Sequence, residues 1–480
     1  MSSNLIAAMG NSGNTLDVLQ QALAVIQNNV SNASTPGYAA QQLNITAQPF
    51  DTATGAAGGI AAQGLIDSRD SYLDSQVQSQ LQTLGLYTAQ AQSTSTIQSF
   101  FDASGNGGVS AALSNLYSAF SAWNASPTDP TAEQTVISSA SAFASSVQEL
   151  SQSLNSTATG LNQQIGSTVN QINTLASQIQ QYNQGKLQNS QPDPGADANL
   201  ENTLENLSQL TNFTALQQPD GTVTVLIGGG TPLVIGSQQY QISASDSIDA
   251  GAANAQSPPT AHVLDSQGND ITADVTGGQL GGLVSTRNGI LASIIGDSQQ
   301  QGSLNQFAQS VADTVNNILE SGTVSTAAGA AAGTALFTYN NADATLAAGS
   351  LAVNSAITPA TLAPVDAAGN ANGNASQLAS LADPNNTQSQ IDGKDFVSFF
   401  AGIAAAAGQA NSTATTNQTV QQQVVTTAQS QRDQISGVSL DGQAAEVLQF
   451  QRAYQAVSQV LSIINDLANS ILALVPQQPS

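Results

Sequence analysis

The chain has 480 residues, of which 40% are hydrophobic and only 8% charged, where an average soluble domain carries roughly a quarter charged residues. Its six basic residues, Arg69, Lys186, Arg287, Lys394, Arg432 and Arg452, stand against 31 acidic ones for a net charge of −25, so no basic patch can form and nucleic acid and anionic membrane surfaces are poor partners. Cysteine is absent and His262 is the single histidine, which argues against disulfides, Cys/His zinc sites and Cys-His or Ser-His catalysis; no run reaches the ~20 apolar residues of a membrane span, and no cofactor is implied.

In chain order, the first element is a helix with apolar residues at Leu5, Met9, Leu16, Leu19, Leu23, Ile26 and Val30, in steps of three and four broken at Ser12. That spacing predicts a coiled-coil seam, weakened at Gly10 and Gly13. The helix is expected to stop at Asn32-Ala33-Ser34-Thr35-Pro36-Gly37-Tyr38, with Asn32 in a left-handed cap and Pro36-Gly37 central in a type II turn. No basic residue precedes Arg69 and no long apolar run lies before it, so a cleaved secretory leader is not expected.

Residues 72 to 215 read as long polar helices, with Leu161, Ile165, Val169, Ile172, Leu175 and Ile179 forming one stripe and Gln and Asn on the outer face. After Pro219-Asp220-Gly221, the β-branched runs Thr222–Ile227 and Leu233–Ile235 predict a β element over about 219–275. Helical spacing resumes through Ile290, Ile294, Leu304, Phe307, Val311, Val315 and Ile318. Residues 321–394 are rich in Ala, Gly, Asn and Thr and are expected to form a variable outer domain or insertion, followed by a return helix over 395–435.

The C-terminal segment has Val447, Phe450, Tyr454, Val457, Leu461, Ile464, Ala468, Ile471 and Val475 in strict steps of three and four. A second row, Ala453, Val460, Leu467 and Leu474, widens the stripe beyond what one partner helix would cover. An ordinary core helix would show a similar stripe; the matching helix at the other terminus favours an assembly seam. The resulting fold class is mainly α with inserted β: residues 1–60 and 436–480 pair as an inner coiled-coil domain, around a helical middle domain over 61–320 and its return helix.

Other features have plainer readings. Asp67 and Asp70 fit a solvated face better than an acid-base pair. His262, between apolar neighbours in a predicted strand, fits an incidental position better than a catalytic one. Arg69 and Arg287 are either buried ion pairs or simply exposed. The glycines at 228 to 230 and 277 to 282 lack a phosphate-loop lysine and read as turns. No catalytic or metal-binding residue is assigned.

The segment Gln27–Tyr38, with Asn28, Asn29, Asn32, Thr35, Pro36, Gly37 and Tyr38, resembles the N-terminal signature of the axial family of bacterial flagellar rod, hook and hook-associated proteins. Ser436–Asp441 and Phe450–Ala456, with Gly437, Leu440, Gln451 and Tyr454, resemble that family's C-terminal signature. Gly58-Gly59-Ile60, Arg69–Asp74, Phe100-Phe101, Ser126–Asp129 and Gly277–Leu283 with Arg287 resemble its hook-filament junction members. Ala39 and Ala40 depart from a usual basic residue, and Asn199–Asn202 lacks an expected Arg-Asp pairing.

The resemblance implies a structural, non-enzymatic subunit of the flagellum, exported unfolded by the type III route and assembled at the distal end of the hook. Implied partners are copies of itself, the hook protein and a second junction protein, with an export chaperone at the C-terminal helix. The implied assembly seam is Leu16, Leu19, Leu23, Ile26 and Val30 against Val447, Phe450, Tyr454, Val457, Leu461, Ile464 and Ile471. A hook or distal-rod subunit is the alternative, disfavoured because strands would be expected where 72 to 215 reads as helix. A secreted carbohydrate-binding protein is more remote, since aromatic residues make up only 4% of the chain and Trp123 is the single tryptophan.

Overall fold

The computed structural model describes residues 2–50, 58–101, 107–189, 193–248, 252–254 and 256–474. Chain-terminal helix α1 (Ser2–Ser31) leads into a hairpin of β1 (Gln41–Ala47) and β2 (Ile60–Asp67). Helices α2 (Ser71–Ser99), α3 (Gly108–Ala125), α4 (Pro130–Gln188) and α5 (Pro194–Leu210) follow. A four-stranded antiparallel meander comprises β3 (Phe213–Gln217), β4 (Val223–Ile227), β5 (Thr231–Ile235) and β6 (Gln238–Gln239), and a separate hairpin pairs β7 (Ser243–Ser247) with β8 (Thr260–Leu264). Then come α6 (Gly278–Ser285), α7 (Ala292–Ile295), α8 (Ser303–Glu320), α9 (Ala347–Ser350), α10 (Gly373–Ser380), α11 (Phe396–Ser436) and α12 (Leu440–Leu474). The fold is mainly α with small inserted β elements, and the two terminal helices pack on one another.

Helix α4 organises the body. Asp129 caps it by accepting from Thr131 N at 3.0 Å, and Pro130 suits its first turn because no N–H is needed there. Its 59 residues span about 90 Å at the usual rise of about 1.5 Å per residue. The inward row from Val136 through Phe143, Leu154, Ile165 and Ile172 to Ile179 is buried along its length against α3, α5, the meander and α8. Toward its N-terminal end Phe307 of α8 lies 6.1 Å from Phe143 and 5.3 Å from Phe400, ring centre to ring centre.

Residues 321–394 do not stand apart as an outer unit. Leu336, Phe337, Leu351, Leu362, Leu378 and Ile391 enter the same continuous core as α3, α4 and α8, so the few large apolar residues of this stretch are spent on that core rather than on one of their own. Residues 277–282 also differ from the expected turn. They open α6, and glycine is required by contact: a Cβ on Gly282 would stand 2.4 Å from Leu86 O, so its absence lets α6 lie flat on α2.

Within residues 72 to 215 Asn is expected on the outer face, yet Asn173 and Asn183 there, with Asn29, Asn288 and Asn316 elsewhere, share an inward use. Asn29, Asn173, Asn183, Asn288 and Asn316 each accept from the N–H and donate to the C=O of a single residue, respectively Gln41, Ile242, Val223, Ala261 and Phe337, at 2.7–3.1 Å. A carboxamide is a donor and an acceptor side by side, the same pair that a neighbouring strand offers, so each satisfies a strand or loop edge from a helix without any charge. In a chain poor in ion pairs this device ties sheet to helix.

Arg287 departs from both expectations. It is buried, yet its Nη2 donates to the carbonyls of Pro258 and Pro259, and among the described residues no carboxylate lies within ion-pair distance. Burial lowers its pKa to about 10. His262 is hydrogen-bonded to Asp270 at 2.8 Å and to Thr260 at 3.1 Å beside the β7–β8 hairpin.

Candidate functional site

The two chain ends meet in one structure. Helix α1 packs on α12, with Val18, Leu19, Ala22 and Ile26 buried and Leu16 and Leu23 half-buried. Val30, expected to close this seam, is 47% exposed, and its neighbour Asn29 takes the inward place. The straight helix turns about 20° per seven residues away from a strict 3.5-residue repeat, so the contact row slides by one position along α1. At Gly10 and Gly13, where the helix is expected to be weak, α1 runs through both, and the hairpin covers this stretch, Gly59 lying against Asn11 and Thr15. The hairpin has no counterpart in the sequence expectations, which end the helix at Asn32–Tyr38 and assign no element to the rest of the inner domain up to residue 60.

On α12, Val447, Phe450, Tyr454, Val457, Leu461 and Ile464 are half-buried, and Tyr454 OH accepts from Gln20 Nε2 at 3.1 Å. Ile471 is 39% exposed. Val475 and the Leu474 side chain lie outside the described residues. The second row is open: Val460 is 49% and Leu467 50% exposed, joined by Ile463 at 59% and Leu448 at 57%. Helix α12 therefore presents two apolar rows, and α1 covers one.

The signature residues build the joint between this pair and the body. Asn32 is not left-handed; its Nδ2 donates to Asn28 Oδ1 at 2.8 Å and its Oδ1 accepts from Thr35 Oγ1 at 3.1 Å, which ends α1 with side chains instead. Thr35–Tyr38 closes as a turn with Tyr38 N donating to Thr35 O at 3.2 Å, and Gly37 takes φ +73° after Pro36. Asn29 is fully buried with both amide atoms in use: Oδ1 accepts from Tyr38 OH at 3.0 Å and Gln41 N at 2.9 Å, while Nδ2 donates to Gln41 O at 2.7 Å and Gln443 Oε1 at 2.9 Å. One side chain thus binds α1, the turn, the hairpin and α12. Gly437 closes the end of α11 with its N–H on Asp433 O at 3.0 Å, whereas Leu440 and Gln451 are exposed.

Three residues outside the predicted set complete the joint. Ser436 O accepts from Ala40 N at 2.9 Å and Ser68 Oγ at 3.0 Å, and its hydroxyl accepts from Asp70 N at 3.3 Å. Gln443 meets Asn29 as described. Arg69 Nη1 lies 3.3 Å from Asp74 and 3.6 Å from Glu201, and its Nη2 donates to Gly37 O at 2.6 Å. Beside them Arg432 pairs with Glu205 and with Asp433 at 3.2 Å. Burial first, then the charge of Asp74, pushes the Glu201 carboxyl up to about 7, and burial raises Asp74 as well. Arg69 takes the ion-paired one of its two expected places, Ser436 lies at the start of the C-terminal signature segment, and Gln443 is unmarked among many glutamines.

The arrangement is one of packing and hydrogen bonding. Among the described residues no group of three or more His, Cys, Asp or Glu is placed to hold a metal ion, and no helix is long and apolar enough to cross a membrane.

Comparison with known proteins agrees with both ends and the body. The family described as "Flagellar hook-associated protein FlgK helical domain" matches residues 94–337, just over half the chain. The families "Flagella basal body rod protein" and "Flagellar basal body rod FlgEFG protein C-terminal" match residues 9–38 and 429–474. "Flagellar hook-associated protein 1" of Bacillus subtilis is 24% identical over 95% of this chain and 96% of its own length, and that of Escherichia coli 24% over 97% and 99%. The Salmonella typhimurium protein of that name is 28% identical over 63% of this chain and 54% of its own. A solved structure, the flagellar hook junction protein FlgK from Burkholderia pseudomallei, aligns at TM-score 0.48 with 24% identity over 55% of this chain and 46% of that one. The chain belongs to the FlgK family of flagellar hook-associated proteins, structural components of the bacterial flagellum.

Proposed function

We propose that this protein is the junction subunit between hook and filament, exported unfolded and assembled at the distal end of the hook through its terminal helices. The observation that carries this reading is the open row of α12, Val460, Ile463 and Leu467, which lies beside a row already engaged by α1. Covering each such side chain stabilises by roughly 1.5–3 kcal/mol, so a neighbouring copy's helix pair is the natural cover. With a net charge of −25, copies repel, and apolar contact has to supply the attraction.

On this reading the inner unit comprises α1, the β1–β2 hairpin and α12, and the body runs from α2 to α11. Hook protein and a second junction protein contact the two ends of the ring, and an export chaperone shields α12 before assembly. The helical stretch from Ser71 to Leu210 favours a junction subunit over a hook or distal-rod subunit. Electron microscopy of a deletion strain tests the reading: hooks without filaments, with filament protein shed into the medium, are expected, and hooks bearing normal filaments would overturn it.

A further inference from the structure

The signature turn reaches the body of the subunit at Gly37. A Cβ on Gly37 would stand 2.4 Å from Ala198 O and 3.0 Å from Asn202 N of α5, so the turn lies directly on that helix. Its carbonyl is held by Arg69, and under it two carboxylates, Asp74 of α2 and Glu201 of α5, share that one guanidinium. Both acids are buried, at 4% and 6% exposure. Asp74 Oδ1 has no hydrogen-bond partner, while Glu201 Oε1 accepts from Gln78 Nε2 at 2.9 Å.

The charge here does not balance. Arg432 of α11 is engaged by Glu205 of α5 and by Asp433, and Lys186 of α4 by Asp197 at 2.8 Å. Asp70 caps α2, Asp67 is exposed, and the Tyr38 hydroxyl donates to Asn29. Arg432 also acts on Asp74 from a distance, but its charge is matched by Glu205 and Asp433, so Arg69 is the cation within ion-pair distance of the two acids. Two buried carboxylates on one guanidinium hold an excess negative charge in a low-dielectric site, which one proton removes.

We propose that Asp74 and Glu201, sharing Arg69 beneath Gly37, form a proton-operated latch that fixes the signature turn, and with it the inner helix pair, to the body of the subunit. Its bearing on assembly rests on the function proposed above; the latch itself does not. The raised carboxyl of Glu201, at about 7, sets the direction. The closed joint holds its proton more tightly than an open, solvated one, so closure is strongest below the ordinary glutamate range and weakens as pH rises through about 7.

Hydrogen exchange on the full chain, corrected for intrinsic rates, tests this at the amides of Tyr38, Ala40 and Gln41, with the α4 amides as reference. Protection of the turn should be up to about tenfold greater at about pH 6 than at about pH 8. Glu201→Gln should show the acid level at both, and Asp74→Asn should shrink the response while α4 keeps parental exchange. Equal protection of the parental turn at both pH values would overturn the latch, as would a Glu201→Gln chain that keeps the parental response. A proton response in a protein whose deletion leaves filaments normal would sink the assembly reading and support the latch. Filamentless hooks with no proton response would do the reverse.

Discussion

Helices α4 and α12 carry the same pattern, apolar side chains at steps of three and four, and the fold treats them oppositely. Along α4 the row from Val136 to Ile179 is at most 7% exposed. Along α12 every apolar side chain from Val447 to Ile471 is half-buried or exposed. A periodic stripe shows which side of a helix meets apolar material; it does not say whether that material belongs to the same chain. The difference separates what holds the subunit together from what is left for a neighbour.

The contrast is broken most severely in the core. Phe143→Ala on α4 should lower global unfolding free energy by about 3–5 kcal/mol in a denaturant titration, because the hole sits among Phe307 and Phe337. Leu467→Ala on the open row of α12 should change it by less than about 0.5 kcal/mol. Equal effects at the two sites would remove the distinction.

Next in size is a charge in the half-covered row. Leu461→Asp or Ile464→Asp should separate α12 from α1, forfeiting roughly 1.5–3 kcal/mol for the side chain, while the body keeps its melting temperature. Such a protein should fail to cap hooks in a deletion strain; Gln459→Asp, on the polar face, should cap nearly normally. Collapse of the whole fold would show that the pair and the body are one cooperative unit.

Smaller again is Asn29→Ala. It leaves the Gln41 amide and carbonyl and the Gln443 carboxamide without their buried partner, at about 1–3 kcal/mol, read as faster exchange in the β1–β2 hairpin with α4 unchanged. The smallest effect is that of salt. Raising ionic strength from about 0.05 M to about 0.5 M screens repulsion between copies, and self-association followed by light scattering should strengthen by less than tenfold. Weakening instead would indicate that ion pairs, not apolar rows, join the copies.

Much of this was legible in the sequence where burial follows hydrophobicity. The stripe from Leu161 to Ile179, the turn at Pro36-Gly37 and the paired terminal helices lie where the spacing puts them. What escaped was polar. Asn29, Asn173 and Asn183 look like solvent-facing residues in a chain full of Asn and Gln, and only the strand placed opposite each makes it a pin. Val30 gave way to Asn29 because the contact row of a straight helix drifts against a 3.5-residue repeat, and the drift puts a hydrogen-bonding side chain in the last inward place of α1. Residues 321–394 were hard to place for a related reason: sparse apolar residues suffice when they join a core already built by α4 and α8.

The long-range contacts are nested. Gln98 meets Asn411 across 313 residues, Gln80 meets Gln421 across 341 and Asn29 meets Gln443 across 414. Each pairing encloses the one before it, a nesting in which closure from the middle outward would cost the least loop entropy at each step. Body formation shortens the effective loop that α1 and α12 must close, and lowers its entropic cost. Until then α1 lacks α12, and α2 lacks the return helix α11. The sequence of α2 suits that wait: its only large buried apolar side chains are Val77, Leu81 and Ile97, set among Gln, Ser and Thr, so the idle helix offers little for premature association.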